Sequence, residues 1–105
     1  MSSETALANI SIFTPKPEHF DAFVAAQLKA LPELGLVSRS LGARFYVAKD
    51  NRHAILISFF ENEDGLREFA ETDAFQDHRA RLQPLLENND STFYTLAYAY
   101  GAPAG

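Results

Sequence analysis

Residues Ala54-Ile55-Leu56-Ile57-Ser58-Phe59-Phe60 constrain the fold more than any other stretch. Only Ser58 in this run is polar. A strand that is apolar on both faces needs cover on both faces. Before it, Lys49-Asp50-Asn51-Arg52 reads as a polar hairpin turn. The stretch from Leu36 to Ala48 is β-prone, with Gly42 as a candidate bulge. After it, Asn62 is a good helix cap, and Glu63 and Asp64 suit the positive end of a helix dipole. The centre of the chain therefore reads as a hairpin running into a helix.

The flanking segments follow the same logic. From Ala6 to Phe13 the pattern alternates, with Ala8, Ile10 and Ile12 on one face and Leu7, Asn9, Ser11 and Phe13 on the other, which predicts a strand. Thr14-Pro15-Lys16-Pro17 breaks it, and Pro17 suits a first helical turn. Phe20, Phe23, Val24, Leu28 and Leu31 predict an amphipathic helix over 17–31, closed by Pro32 and Gly35. After the first short helix, with Leu66, Phe69 and Ala70 on one side, a second start has Asp73 as cap and Gln76 three residues on. Phe75, His78, Arg79, Leu82 and Leu86 share a face of that helix, which Pro84 kinks or ends early. Asn88-Asn89-Asp90 reads as a turn. Thr92 to Tyr100 reads as the last strand, with Tyr94, Leu96, Tyr98 and Tyr100 on one face.

The order is β-α-β-β-α-β, which predicts an α+β, ferredoxin-like domain with a four-stranded antiparallel sheet and helices on one face. One domain over 6–100 is expected, with a frayed start at 1–5 and a tail at 101–105. Ile10, Ile12, Ile55, Ile57 and Phe59 make the open sheet face apolar, a liability in a monomer. A homodimer, sheet against sheet about a two-fold axis, is the expected remedy.

Composition removes several function classes. Nine basic and fourteen acidic residues give a formal charge of −5, a poor surface for nucleic acid or an anionic membrane. The chain has no cysteine, so it has no disulfide, thiolate nucleophile or Cys-type zinc site. No apolar run reaches the roughly 20 residues that span a bilayer, and the start lacks a basic signal-peptide region, so a cytoplasmic location is expected. Histidines 19, 53 and 78 have no metal-ligand spacing, and none of the five glycines forms a phosphate-cradling motif.

Two polar residues stand out against this background. His78 falls on the apolar face of its helix, so it is either a satisfied core residue or the polar end of a binding site. In the second case it could act as a base on a phenolic substrate. Asn9 sits mid-strand, where Asn is disfavoured, and either holds a substrate oxygen or pairs with Ser11 or the backbone. Phe60, Phe69, Phe75, Phe20 and Phe23 read first as core, and some of them, with Phe60, Phe69, Phe75 and Phe23 as the candidates, line a small-molecule pocket while also packing. Arg44, Tyr46, Tyr94 and Tyr98 are weaker candidates: Arg44 could hold a substrate carboxylate or quinone oxygen, with a solvated strand arginine as the commoner alternative. His19 and His53 read as surface residues.

With those residues in view, the chain resembles the antibiotic biosynthesis monooxygenase family of dimeric α/β barrels. The resemblance covers roughly residues 6–100. Phe60-Glu61-Asn62-Glu63-Asp64 stands where the family usually has Trp-Glu-Ser. Phe69-Ala70-Glu71-Thr72-Asp73-Ala74-Phe75-Gln76-Asp77-His78 stands where it often has histidine-leucine, a short polar turn, phenylalanine, then lysine-alanine-histidine. Pro15-Lys16-Pro17-Glu18-His19-Phe20 resembles the family's strand-to-helix turn. The resemblance implies a cofactor-independent monooxygenase acting on a small aromatic, quinol-like substrate, whose electron-rich phenolate itself reduces dioxygen. His78 would then be the base and Asn9 the stabiliser of the developing anion. A dimeric barrel that only binds a small apolar ligand is the alternative. In the family's haem-degrading branch, a strand Asn, a Trp and a His form the site. Asn9 matches the first, but Phe69 and Arg79 stand in the other two places, so haem degradation is expected less.

Overall fold

The computed structural model describes residues 7–101. Strand β1 (Leu7–Pro15) leads through a 3-10 turn (Pro17–His19) into helix α1 (Phe20–Val37). Strands β2 (Gly42–Val47) and β3 (Ala54–Phe60) form a hairpin. Two short helices, α2 (Glu63–Ala70) and α3 (Asp73–Leu82), are followed by a 3-10 turn (Gln83–Leu85) and strand β4 (Leu86–Thr95). The sheet order is β2-β3-β1-β4, with every neighbouring pair antiparallel. This is the ferredoxin-like arrangement that the order of elements predicts.

The hairpin turn closes with Ala48 and His53 bonded through their backbones at 3.0 Å. Asn51 takes the left-handed conformation at φ 57°, which Asn tolerates better than most residues, and the Asp50 carboxylate accepts from the Arg52 N–H. That turn sets the register Val47↔Ala54 through Gly42↔Phe59. The register has no shift at Gly42, so Gly42 opens β2 and forms no bulge.

Alternation along β1 sorts its side chains cleanly. Asn9, Ser11 and Phe13 pair across the sheet with Ser58, Leu56 and Ala54 on the helix side. Ile10 and Ile12 pair with Ile57 and Ile55 on the open side. The core forms where Phe13, Ala54, Phe23 and Leu82 meet, backed by Val24, Phe45 and Leu56. The Phe13 and Phe23 rings lie 5.2 Å apart between centroids, within the favourable range for tilted aromatic pairs.

Several boundaries differ from the sequence reading: β1 continues through Thr14 to Pro15, and α1 starts at Phe20, after the 3-10 turn that takes Pro17. Helix α1 runs through Pro32 and Gly35 to Val37. A proline gives up its own N–H bond to the carbonyl four residues back, here that of Leu28. Pro32 and Leu28 are both exposed, so water can serve that carbonyl, and Leu34 beyond the proline is buried and holds the last turn down. The α3 cap is Thr72, one residue before Asp73. Its hydroxyl accepts from the Phe75 N–H and donates to the Phe69 carbonyl, which joins the two short helices. Strand β4 contains Asn88, Asn89 and Asp90, paired with Thr14, Phe13 and Ile12. These polar residues are exposed on an edge strand, where their side chains stay hydrated while the backbone completes β1. Leu86 therefore begins β4 and does not extend α3, while Leu96, Tyr98 and Tyr100 lie beyond the paired strand. Asn62 caps α2 as expected, accepting from the Gly65 N–H at 3.2 Å, and α3 gives way to a 3-10 turn at Pro84.

The expectations for residues 1–5 and for the tail beyond Gly101 lie outside the described residues, as does Ala6. Among the described residues, no helix is long and apolar enough to cross a membrane.

Phe23 is fully buried at the junction of α1 and the sheet. Phe23→Ala is expected to lower unfolding stability by about 3–5 kcal/mol. Chemical denaturation of the two proteins side by side checks this, and a loss below about 1 kcal/mol would place the core elsewhere.

Candidate functional site

Helices α1, α2 and α3 do not fill the space above the sheet. They leave a cavity of about 990 Å³, at the upper end of the size class that takes small organic ligands. Its floor is the helix-facing side of β1 and β3, with Asn9, Ser11, Ser58 and Phe60. Phe69, Phe75 and His78 come from α2 and α3, and Gln27 and Leu31 from α1. Much of this lining is apolar, and its buried polar residues, Gln27, His78 and Asn9, belong to two hydrogen-bonded clusters.

The first cluster joins two helices. Gln27 of α1 is 1% exposed and His78 of α3 is 8% exposed. Their side chains meet with Nε2 of His78 2.5 Å from Oε1 of Gln27. An amide oxygen only accepts, so Nε2 carries the proton and donates. Nδ1 is then the nitrogen with the free lone pair. Burial pushes the His78 pKa below the ordinary histidine value, and the Arg81 guanidinium lowers it further. At neutral pH the ring is an uncharged imidazole.

The second cluster lies on the floor. Asn9 is 7% exposed. Ser11 donates to Ser91 at 3.0 Å, and Ser91 donates to the Asn9 carbonyl oxygen at 3.2 Å. The Asn9 amide group leans on the Thr92 carbonyl at 3.4 Å, a long contact. The Thr92 carbonyl, which only accepts, fixes which end of the amide is nitrogen. One hydrogen of the Asn9 Nδ2 group remains for another acceptor.

Of the residues singled out in the sequence, the structure brings His78, Asn9, Phe60, Phe69 and Phe75 to one cavity. Phe69 and Phe75 pack edge to face at 5.2 Å. Phe23 is sealed in the core and does not reach the cavity wall. Arg44 and Tyr94 sit on the opposite, open face of the sheet, because Arg44 pairs with Ile57 and Tyr94 with Ala8. Strand alternation alone decides this, since Ala43 and Phe45 take the helix-facing positions of β2. Arg79 borders the cavity but is exposed. Sequence reasoning passed over Gln27, which stands in the apolar stripe of α1 between Phe23 and Leu31. A polar residue at that spacing was the available signal. Among the described residues, no three His, Asp or Glu side chains converge as a metal-ligand set.

No family model and no curated protein sequence matches the chain. Solved structures do match its fold. A Nitrosomonas europaea protein named "Putative antibiotic biosynthesis monooxygenase" superposes with a TM-score of 0.79 at 14% identity, over 92% of this chain and 95% of that one. PA3566 from Pseudomonas aeruginosa gives 0.79 at 16% identity, over 93% of this chain and all of the other (100%). A further antibiotic biosynthesis monooxygenase gives 0.78 at 14%, over 88% and 99%. The chain thus has the fold of the structures bearing that name.

The depressed His78 pKa links to stability. As pH falls through about 6.5 the unfolded chain protonates His78, while the folded protein keeps it neutral to lower pH. The unfolded state then binds more protons, so folded stability drops as pH falls below that value and gains nothing above it. Unfolding curves from pH 8 to 5 are expected to show a component that His78→Gln removes. Identical pH profiles for the two proteins would contradict a buried neutral imidazole.

Proposed function

We propose that the cavity oxygenates a small electron-rich aromatic, a quinol or related phenol, with dioxygen and no bound cofactor. The observation that carries this reading is the buried His78 at the wall of a cavity that also holds the Asn9 amide. His78 removes the phenolic proton, the Asn9 Nδ2 hydrogen steadies the phenolate oxygen, and Phe60, Phe69 and Phe75 keep the ring dry. The phenolate then passes one electron to dioxygen, and the two radicals join through a new carbon–oxygen bond. The resulting peroxide breaks its O–O bond, one oxygen staying on the ring and the other leaving as water. For a dihydroxynaphthalene the product is the hydroxynaphthoquinone. The substrate supplies all four electrons, so the reaction needs no further reductant. The fold of the monooxygenase-named structures supports the same reading.

The reading includes a homodimer through the open sheet face. Ile10, Ile57 and Phe59 on that face are only half-buried, Ile12 is exposed, and Leu96, Tyr98 and Tyr100 are exposed in the segment that follows β4. Light scattering is expected to give twice the chain mass, and Ile57→Asp to give the single-chain mass. A monomeric wild type would remove the dimer.

A second reading, a barrel that binds a small apolar ligand without changing it, has one observation in its favour. The Asn9 carbonyl oxygen and Nε2 of His78 already have partners within the protein. Haem degradation has less support, because Nε2 of His78 is engaged by Gln27 and Phe69 and Arg79 stand where that branch has Trp and His.

Oxygen uptake with dihydroxynaphthalenes and anthrones separates the readings. The oxygenase is expected to consume oxygen with formation of the quinone. Asn9→Ala is expected to lower turnover about 10- to 1000-fold, the range for loss of an oxyanion donor. Saturable binding with no product would establish the binder instead.

A further inference from the structure

We propose that Gln27 is a positioning residue for His78: its buried amide holds the Nε2 hydrogen and thereby leaves Nδ1 as the nitrogen that meets the ligand. The inference rests on the proposed role of His78, but the geometry behind it does not. Gln27 occupies a core position on α1, one helical turn past Phe23 and one before Leu31, where an apolar residue would pack without penalty. A buried amide with no partner would cost about 1–3 kcal/mol, so this residue type needs a fixed partner. That partner is His78, 51 residues away on α3, in contact through the ring nitrogen that faces α1.

The consequence is chemical. A neutral imidazole carries one proton, and the nitrogen that holds it cannot act as a base. With the proton fixed on Nε2 by the Gln27 oxygen, the two tautomers are no longer equivalent. Nδ1 becomes the basic nitrogen, and the ring is locked in rotation by a bond to a second helix. An amide accepts a hydrogen bond without bringing charge, so it orients the ring without raising its basicity as a carboxylate would.

The charged groups around His78 do not take over this role. On its own helix, Arg81 acts on it through charge and Arg79 borders the cavity while exposed. On α1, Asp21, Lys29 and Glu33 are exposed, as are Glu63, Asp64, Arg67 and Glu68 on α2. From β4, Glu87 borders the cavity and is exposed too. The neutral amide is the group in bonding contact with the ring.

Side-chain nitrogen NMR of the ligand-free protein tests the proposal directly, with His78 assigned by its loss in His78→Gln. Wild type is expected to show the Nε2–H tautomer, and Gln27→Leu a mixture of both. Gln27→Glu keeps the acceptor but adds charge, so His78 is expected to stay Nε2–H and titrate at higher pH than in wild type. With dihydroxynaphthalene as probe, Gln27→Leu is expected to lower kcat about 10-fold or more, part of the 100- to 10,000-fold a positioned base contributes, with KM little changed. Gln27→Glu is expected to restore turnover and move the acid limb of the pH–rate profile upward. An Nδ1–H tautomer in wild type overturns the proposal, and so does an unchanged tautomer in Gln27→Leu. The wild-type spectrum decides even where Gln27→Leu fails to fold. Absence of oxygen uptake would remove the oxygenase reading while the tautomer still decides the role of Gln27.

Discussion

The hydrogen bond between Gln27 and His78 is the contact on which the arrangement above the sheet depends. Neither side chain suits its position alone: each is a polar group in a nearly dry space, and each would destabilise the fold if unpaired. Together they tie α1 to α3 at a fixed distance. The apolar residues beside them, Phe23 and Leu82, pack at the same junction. The cavity is what remains between this junction and the two short helices. The bond thus positions the helices and sets the state of the imidazole in a single contact.

The second organising element is the two-residue period of the strands. On β1 it sends Asn9 and Ser11 to the cavity floor and Ile10 and Ile12 to the open face. Because β3 pairs with β1 over seven residues without a slip, Ser58 joins the floor and Ile55, Ile57 and Phe59 join the open face. A one-residue slip would exchange these sets. The small serines on the floor are part of why a cavity exists at all, since larger side chains there would fill it. Ser91 of β4 completes the floor by reaching Asn9 across the strand pair.

Much of this was legible in the sequence. The hairpin turn, the uninterrupted β3 run, the Asn62 cap and the order of elements gave the topology, because each rests on local rules. The ends of α1 and β4 were not legible, because tertiary packing decides them: Leu34 carries a helix past a proline, and β1 recruits Asn88 to Asp90 into a strand they do not favour. Asn9 and His78 were visible as polar residues in apolar patterns. Gln27 gave the same signal on α1 and was missed, since a helix-face glutamine usually snorkels to solvent and only the meeting with His78 shows otherwise. Strand parity puts Arg44 and Tyr94 on the far side of the sheet from the cavity, whatever the chemical suitability of their side chains.

The central claim is that the cavity directs dioxygen onto an electron-rich ring using the substrate's own electrons. Isotope analysis of the product formed from a dihydroxynaphthalene under labelled dioxygen tests it most directly. The account predicts that each hydroxynaphthoquinone carries one labelled oxygen atom, that the other appears in water, and that His78→Gln abolishes the labelled product. Oxidation of the quinol only at its spontaneous rate, with no labelled oxygen in the product, would contradict it.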